Sequence, residues 1–256
     1  MKPKIAIIQT DGINCDSELF YAFENAGGRA SMIHINEMKA HQNILDDYQI
    51  IGIPGGFSYG DDVLSGKILA NELRNRLKET LKAIVEQKKL IIGICNGFQV
   101  LVRTGLLPWP MKPAEEVSLI FNDSGHFECR WIKVRIQKSP CVFTQGLEDQ
   151  VFELPVAHGE GKLVVANQTV GKKLFTNQHV VCQCVDQYNN PTQHYPENPN
   201  GSYKAIAGLT DATGHILGLM PHPERHTIRH QHPSWRSHMV KTCMPFFRNA
   251  VSFVLK

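Results

Sequence analysis

Cys95 lies in the run Leu90-Ile91-Ile92-Gly93-Ile94-Cys95-Asn96-Gly97-Phe98-Gln99, with a glycine two places before it and another two places after. The apolar residues ahead of it predict a buried strand, and Asn96 to Thr104 predicts a short helix. A strand that turns sharply into a helix pushes the residue at the turn outward, and small flanking residues allow the tightness. That is the layout of a nucleophile elbow. A helix N-terminus there favours negative charge and leaves backbone N–H groups free for an oxyanion. The same residues also describe a buried core cysteine, which is common. The elbow alone leaves both readings open.

Cysteine hydrolases need a base near the sulfur and a group that orients the base. Pro221-His222-Pro223-Glu224-Arg225 offers both, held by two prolines just beyond a predicted strand, although a rigid solvated loop has the same composition. Ile53-Pro54-Gly55-Gly56-Phe57-Ser58-Tyr59-Gly60-Asp61 places a glycine pair directly after another strand. Such a pair lets backbone N–H groups approach a ligand, or simply makes a turn. Val156-Ala157-His158-Gly159-Glu160-Gly161 also follows a strand and is polar enough to line a pocket, with His158 equally suited to a structural role.

Four loops after four strands require a scaffold that gathers strand ends. Ile5–Ile8, Met32–Ile35, Ile50–Ile53 and Leu90–Ile94 are short apolar runs, separated by helical patterns over about Asp16–Ala26 and Val63–Gln87, the latter with one break. Strands buried on both faces and separated by helices predict a parallel sheet, whose carboxyl ends collect functional groups. Later segments predict further strands at Trp131–Ile136, Val151–Val156, His179–Val185, Ala205–Leu209 and Ile216–Met220. Phe246–Leu255 predicts a closing helix. The expected fold is α/β, a flavodoxin-like, mostly parallel sheet with helices on both faces and an antiparallel extension, with residues 1–256 forming one domain.

Composition narrows the function. A 42% hydrophobic and 20% charged chain is ordinary for a soluble globular protein. A net charge of +3 without a basic stripe argues against nucleic acid. Seven scattered cysteines are an odd count that suits reduced thiols rather than a disulfide framework, and no run approaches a signal peptide or a membrane span. These features predict a cytoplasmic protein. His226 and His230 would share a face if the tail were helical, but Pro233 interrupts it and no carboxylate cluster joins them or His232 and His238, so no metal site is expected. Cys182 and Cys184 are two apart on a strand and predict a core pair.

Taken in order, Gly93–Gln99, Pro54–Asp61, Ala157–Gly161 and Pro221–Arg225 resemble the motifs of class I glutamine amidotransferases. More narrowly, with Asn14-Cys15-Asp16 and Asn198-Pro199-Asn200-Gly201-Ser202, the chain resembles the glutaminase of phosphoribosylformylglycinamidine synthase. The resemblance spans nearly the whole sequence. It implies that Cys95 attacks the glutamine carboxamide to give a thioester and ammonia, that His222 moves the proton, and that Glu224 orients His222. It also implies an oxyanion hole from the N–H groups of Gly56, in the substrate-binding Gly55-Gly56-Phe57 loop, and of Asn96, next to Cys95. Glutamine would be held by Gln99 and the Ala157-His158-Gly159 backbone.

The implied partner is a synthase subunit carrying ATP and magnesium, with a small bridging subunit in the family's short form. No cofactor is expected in this chain, which has no phosphate-binding loop motif. Asn198–Ser202 and the tail through Trp235 and Phe247 are closer to the long-chain form. The tail from His226 to Met244 and the face of the Gly55–Gly60 loop are the expected partner surfaces. Competing readings are another class I amidotransferase, a cysteine peptidase or deglycase of the related superfamily, and a non-catalytic assembly subunit. A His-x-Glu loop late in the chain is unexpected in the peptidases, and an intact Cys, His and Glu set argues against a purely structural role.

Overall fold

Strand and helix alternate through the first half of the chain as β1 (Lys4–Gln9), α1 (Asp16–Asn25), β2 (Arg29–His34), α2 (Ile35–Ala40), β3 (Ile50–Ile53), α3 (Lys67–Arg76), α4 (Lys78–Glu86), β4 (Leu90–Ile94) and α5 (Asn96–Arg103). The second half adds β5 (Val117–Ile120), β6 (Glu128–Ile136), β7 (Val151–His158), β8 (Lys162–Val165), α6 (Gln168–Thr176), β9 (Val180–Cys184), β10 (Ile206–Thr210), β11 (Ile216–Leu219) and α7 (Met244–Val254). The structure, a computed structural model, describes residues 1–110, 116–236 and 239–256; His238 lies outside them.

Nine strands form one sheet in the order β2-β1-β3-β4-β11-β10-β9-β6-β7. From β2 to β11 every pairing is parallel. From β11 to β7 every pairing is antiparallel. The chain is thus an α/β protein whose parallel half carries an antiparallel extension. Every residue of β3 and β4 is buried, as strands covered on both faces must be. Along β7, buried and partly buried residues alternate. Helices α1 and α7 meet through Phe23 and Phe247, edge to face at 5.2 Å, while α3 packs on α5.

The structure departs from the sequence expectations in several places. The helical stretch begins at Lys67 rather than Val63 and is broken at Leu77. The second strand ends at His34 because Ile35 opens α2. There the His34 Nδ1 accepts the Asn36 N–H at 3.2 Å and the Glu37 carboxylate returns to the His34 N–H at 3.1 Å. Helix α6 and the separate two-stranded sheet β5-β8 were not expected. His226 and His230 lie on different short 3-10 turns, Pro223–His226 and Arg229–Gln231, not on one helix. Within the tail, His226 and His232 are buried against Trp131, whereas Ile228, Arg229 and His230 are exposed. Cys182 and Cys184 are both buried in the sheet. Among the described residues, no helix is long and apolar enough to cross a membrane.

Candidate active site

The turn from β4 into α5 holds Cys95 at φ 53° and ψ −106°, a conformation that residues other than glycine seldom adopt. Such backbone costs on the order of 1–3 kcal/mol and persists only where the surroundings enforce it. Two glycines enforce it here. A Cβ on Gly97 would lie 1.9 Å from the Ile53 carbonyl oxygen, and one on Gly93 would lie 2.6 Å from the Gly97 oxygen. The elbow is that tight. The Cys95 N–H donates to the Leu219 carbonyl at 2.7 Å, which fastens the turn to the end of β11.

Just past β11, His222 donates its backbone N–H to Pro155 O at 2.9 Å. Its ring Nδ1 is 2.6 Å from Glu224 Oε1, and both side chains are buried. With the carboxylate on Nδ1, Nε2 is the nitrogen left to face a nucleophile, and among the described residues it makes no hydrogen bond. Burial pulls the ring toward neutrality, but the Glu224 charge and the nearby Cys15 and Cys95 thiols outweigh it and hold the His222 pKa well above the ordinary value. A histidine raised in the folded state adds stability that is complete below its unfolded pKa and is lost as pH rises through the folded one. Glu224→Gln should therefore lower stability most at about pH 6 and below, and progressively less as pH rises through the raised His222 value. Urea midpoints of both proteins across that range check this, and a gap that stays constant would contradict it.

Strand β7 is the outermost of the sheet, so the carbonyls of alternate residues point away from β6. Three of them hold the site: Glu153 O accepts His226 Nδ1–H at 2.7 Å, Pro155 O accepts the His222 amide, and Ala157 O lies 3.5 Å from Cys95 Sγ. Pro155 has no N–H to offer, and this edge requires none from it.

The Gly-rich loop lies opposite. A Cβ on Gly55 would meet the His222 ring at 2.9 Å and the Cys15 Sγ at 3.2 Å, so only glycine leaves the site room. Gly56, at φ 135°, bridges Ile13, using the amides of Asn14 and Phe57 and leaving its own outside that pairing. Phe57 is exposed and stacks on Phe127 at 6.2 Å. The Asn96 side chain ties this loop to the elbow, because its Oδ1 accepts Ser58 Oγ–H at 2.7 Å and its Nδ2 donates to Asp61 Oδ1 at 2.9 Å.

Gln99 is buried, and both ends of its amide have protein partners: Oε1 accepts from Asn96 Nδ2 at 3.3 Å and Nε2 donates to the Glu160 carbonyl. It braces the 157–161 loop. The His158 ring is buried 3.2 Å from Asn122 Oδ1, and burial together with the His222 charge pushes its pKa down to about 4, so it stays neutral. Two participants were not anticipated. Asn122 bonds repeatedly to the 157–161 loop, and Cys15, within the Asn14-Cys15-Asp16 motif, accepts Arg225 Nη2–H at 3.0 Å beside His222.

Residues 2–254 match the family described as the CobB/CobQ-like glutamine amidotransferase domain. The chain belongs to that family. Among curated relatives, the amidotransferase is 46% identical over 256 residues to phosphoribosylformylglycinamidine synthase subunit PurQ of Dehalococcoides mccartyi, covering 98% of each chain. It is 39% identical over 271 residues to the same subunit of Methanococcus maripaludis, covering 100% of each. The solved structure of PurLQS from Thermotoga maritima aligns over 100% of both chains, with a TM-score of 0.76 and 30% identity.

The thiols of the amidotransferase are sharply unequal. Burial pushes Cys141 up to about 11 and Cys184 to about 12, and raises Cys182 and Cys243 well above the ordinary value. Burial also raises Cys15, against the lowering influence of His222, while Cys129 is exposed. A general alkylating agent should therefore take Cys129 readily, whereas an electrophilic glutamine analogue should take Cys95 first, because only that thiol lies at the elbow beside His222. Peptide mapping after partial inactivation checks the order, and earlier modification of Cys15 or Cys129 by the analogue would refute it.

Proposed function

We propose that this chain is the glutamine-hydrolysing subunit of phosphoribosylformylglycinamidine synthase, working as one amidotransferase domain in the cytoplasm. It makes ammonia that a synthase partner uses for the ATP-dependent amidation of formylglycinamide ribonucleotide in purine biosynthesis. The full-length match to PurQ subunits supports this most strongly. ATP and magnesium belong to the partner, and this chain needs no cofactor of its own.

In this reading Cys95 Sγ attacks the carboxamide carbon of L-glutamine, and the N–H groups of Gly56 and Asn96 receive the oxyanion. His222, oriented by Glu224, takes the thiol proton and passes it to the departing nitrogen, which leaves as ammonia. Water then attacks the γ-glutamyl thioester, and His222 takes its proton as the thiol is restored and glutamate departs. The Gly55-Gly56-Phe57 loop and the Ala157-His158-Gly159 backbone contact the substrate, with Gln99 acting through the second loop.

The partner covers the exposed Phe57 and Phe127 stack and sets the Gly56 amide. Positive φ at the non-glycine residues Tyr59 and Asp61 gives the loop a strained backbone that a docked surface can re-set. Glutaminase turnover measured alone and with the synthase and its nucleotides tests the reading. An increase of about a hundredfold or more is expected on assembly, the size of one oxyanion donor. Equal rates, or no hydrolysis in the complex, would overturn it.

A further inference from the structure

Each carbonyl from Ala157 to Gly161 has a protein donor, and two buried asparagines supply most of them. Asn122 gives its backbone N–H to Gly159 O at 3.0 Å and its Nδ2–H to His158 O at 2.8 Å and His126 O at 3.0 Å. Its Oδ1 accepts the Gly161 N–H at 2.9 Å. Asn200, in the Asn198–Ser202 motif, gives Nδ2–H to the other end of the same residue, Gly161 O, at 2.9 Å, with Ser202 Oγ at 3.3 Å. Gly161 is thus gripped at its N–H by one amide and at its C=O by another. The two segments are themselves joined, since the Asp123 N–H donates to Asn200 O at 3.2 Å. Asn122 and Asn200 are only 5% and 4% exposed, so water does not substitute readily for either.

A loop with glycines at 159 and 161 has many conformations to lose when a ligand binds. Holding it in one conformation beforehand spares the ligand that loss, which appears as affinity rather than as rate. Neither asparagine is placed to touch the reacting atoms at Cys95 and His222. We infer that Asn122 and Asn200 are positioning residues that clamp the 157–161 loop at Gly161 and thereby set the affinity for glutamine. The inference rests on the reading of that loop as the glutamine contact.

The test uses the assembled complex with Asn122→Ala, Asn200→Ala and Ser202→Ala variants. The KM for glutamine should rise about tenfold to a hundredfold for Asn122→Ala and less for the other two, with kcat within about threefold. Inactivation by an electrophilic glutamine analogue should slow in the same ratio, while iodoacetamide alkylation of Cys95, which needs no loop, keeps its rate. Should Asn122→Ala fail to fold, Asn200→Ala and Ser202→Ala probe the same residue, Gly161, from its other end. A folded variant with unchanged KM, or parallel loss of both alkylation rates, would overturn the assignment. If the analogue leaves even the wild-type complex active, the glutamine-loop reading itself has failed.

Discussion

Cys95→Ser should leave a folded protein whose complex no longer makes product from glutamine but still makes it from added ammonia. Serine is nearly isosteric with cysteine and meets the same constraint at φ 53°, so the elbow, the Cys95 amide bond to Leu219 and the His222–Glu224 pair all remain. What is lost is the nucleophile. In comparable hydrolases, removing that one group lowers turnover by at least about ten-thousandfold, because base and oxyanion donors have nothing left to act on. Ammonia enters after the glutaminase step, so the synthase reaction at saturating ammonium should be unchanged. Parallel assays with glutamine and with ammonium chloride decide the matter, and equal losses in both would refute the division of labour.

Gly97→Ala should damage the protein as a whole. The added carbon would lie 1.9 Å from the Ile53 carbonyl oxygen and 2.8 Å from its carbonyl carbon, which are backbone atoms and not the end of a flexible side chain. Either β3 moves or α5 lifts away from β4, and both carry parts of the site. Overpacking typically costs about 1–3 kcal/mol, and at the upper end, which so close a backbone contact warrants, a chain of this size loses about 6–12 °C in melting temperature. Activity should fall further than stability explains, because the Gly55–Gly56 loop follows Ile53 directly and would move with β3. Melting curves and turnover of the soluble variant check both, and a variant with wild-type melting temperature would contradict the contact.

How far the sequence revealed this architecture depended on whether information was local. Ile50–Ile53 and Leu90–Ile94 are bounded as expected, since a short, wholly apolar run followed by glycine or cysteine permits little else. The same holds for Cys95, His222 and Glu224, each fixed by neighbours two or three residues away. Helix α6 escaped notice because Gly171 lies inside it. That glycine is explained only by Tyr203, whose hydroxyl would be 2.5 Å from a Cβ there. Strands β5 and β8 are four residues each and pair across more than forty residues of chain. Asn122 carried no local signal at all, since its partners at 158, 159 and 161 are brought to it only by that pairing. Gln99, expected to hold the substrate, has its amide bonded to Asn96 and the Glu160 carbonyl, partners that the sequence alone does not reveal.

The position of β7 has a consequence for how the protein ages. An outermost strand ordinarily offers its free carbonyls to any passing extended chain, and proteins guard against such pairing with charges, bulges or proline. Here the guard is largely the candidate site itself, because the Glu153 and Pro155 carbonyls are capped by the segment that carries His222 and His226. Heat or proteolysis that lifts this segment removes the proposed general base and uncovers a hydrogen-bonding edge in one event. Loss of activity and the onset of aggregation should therefore follow the same time course.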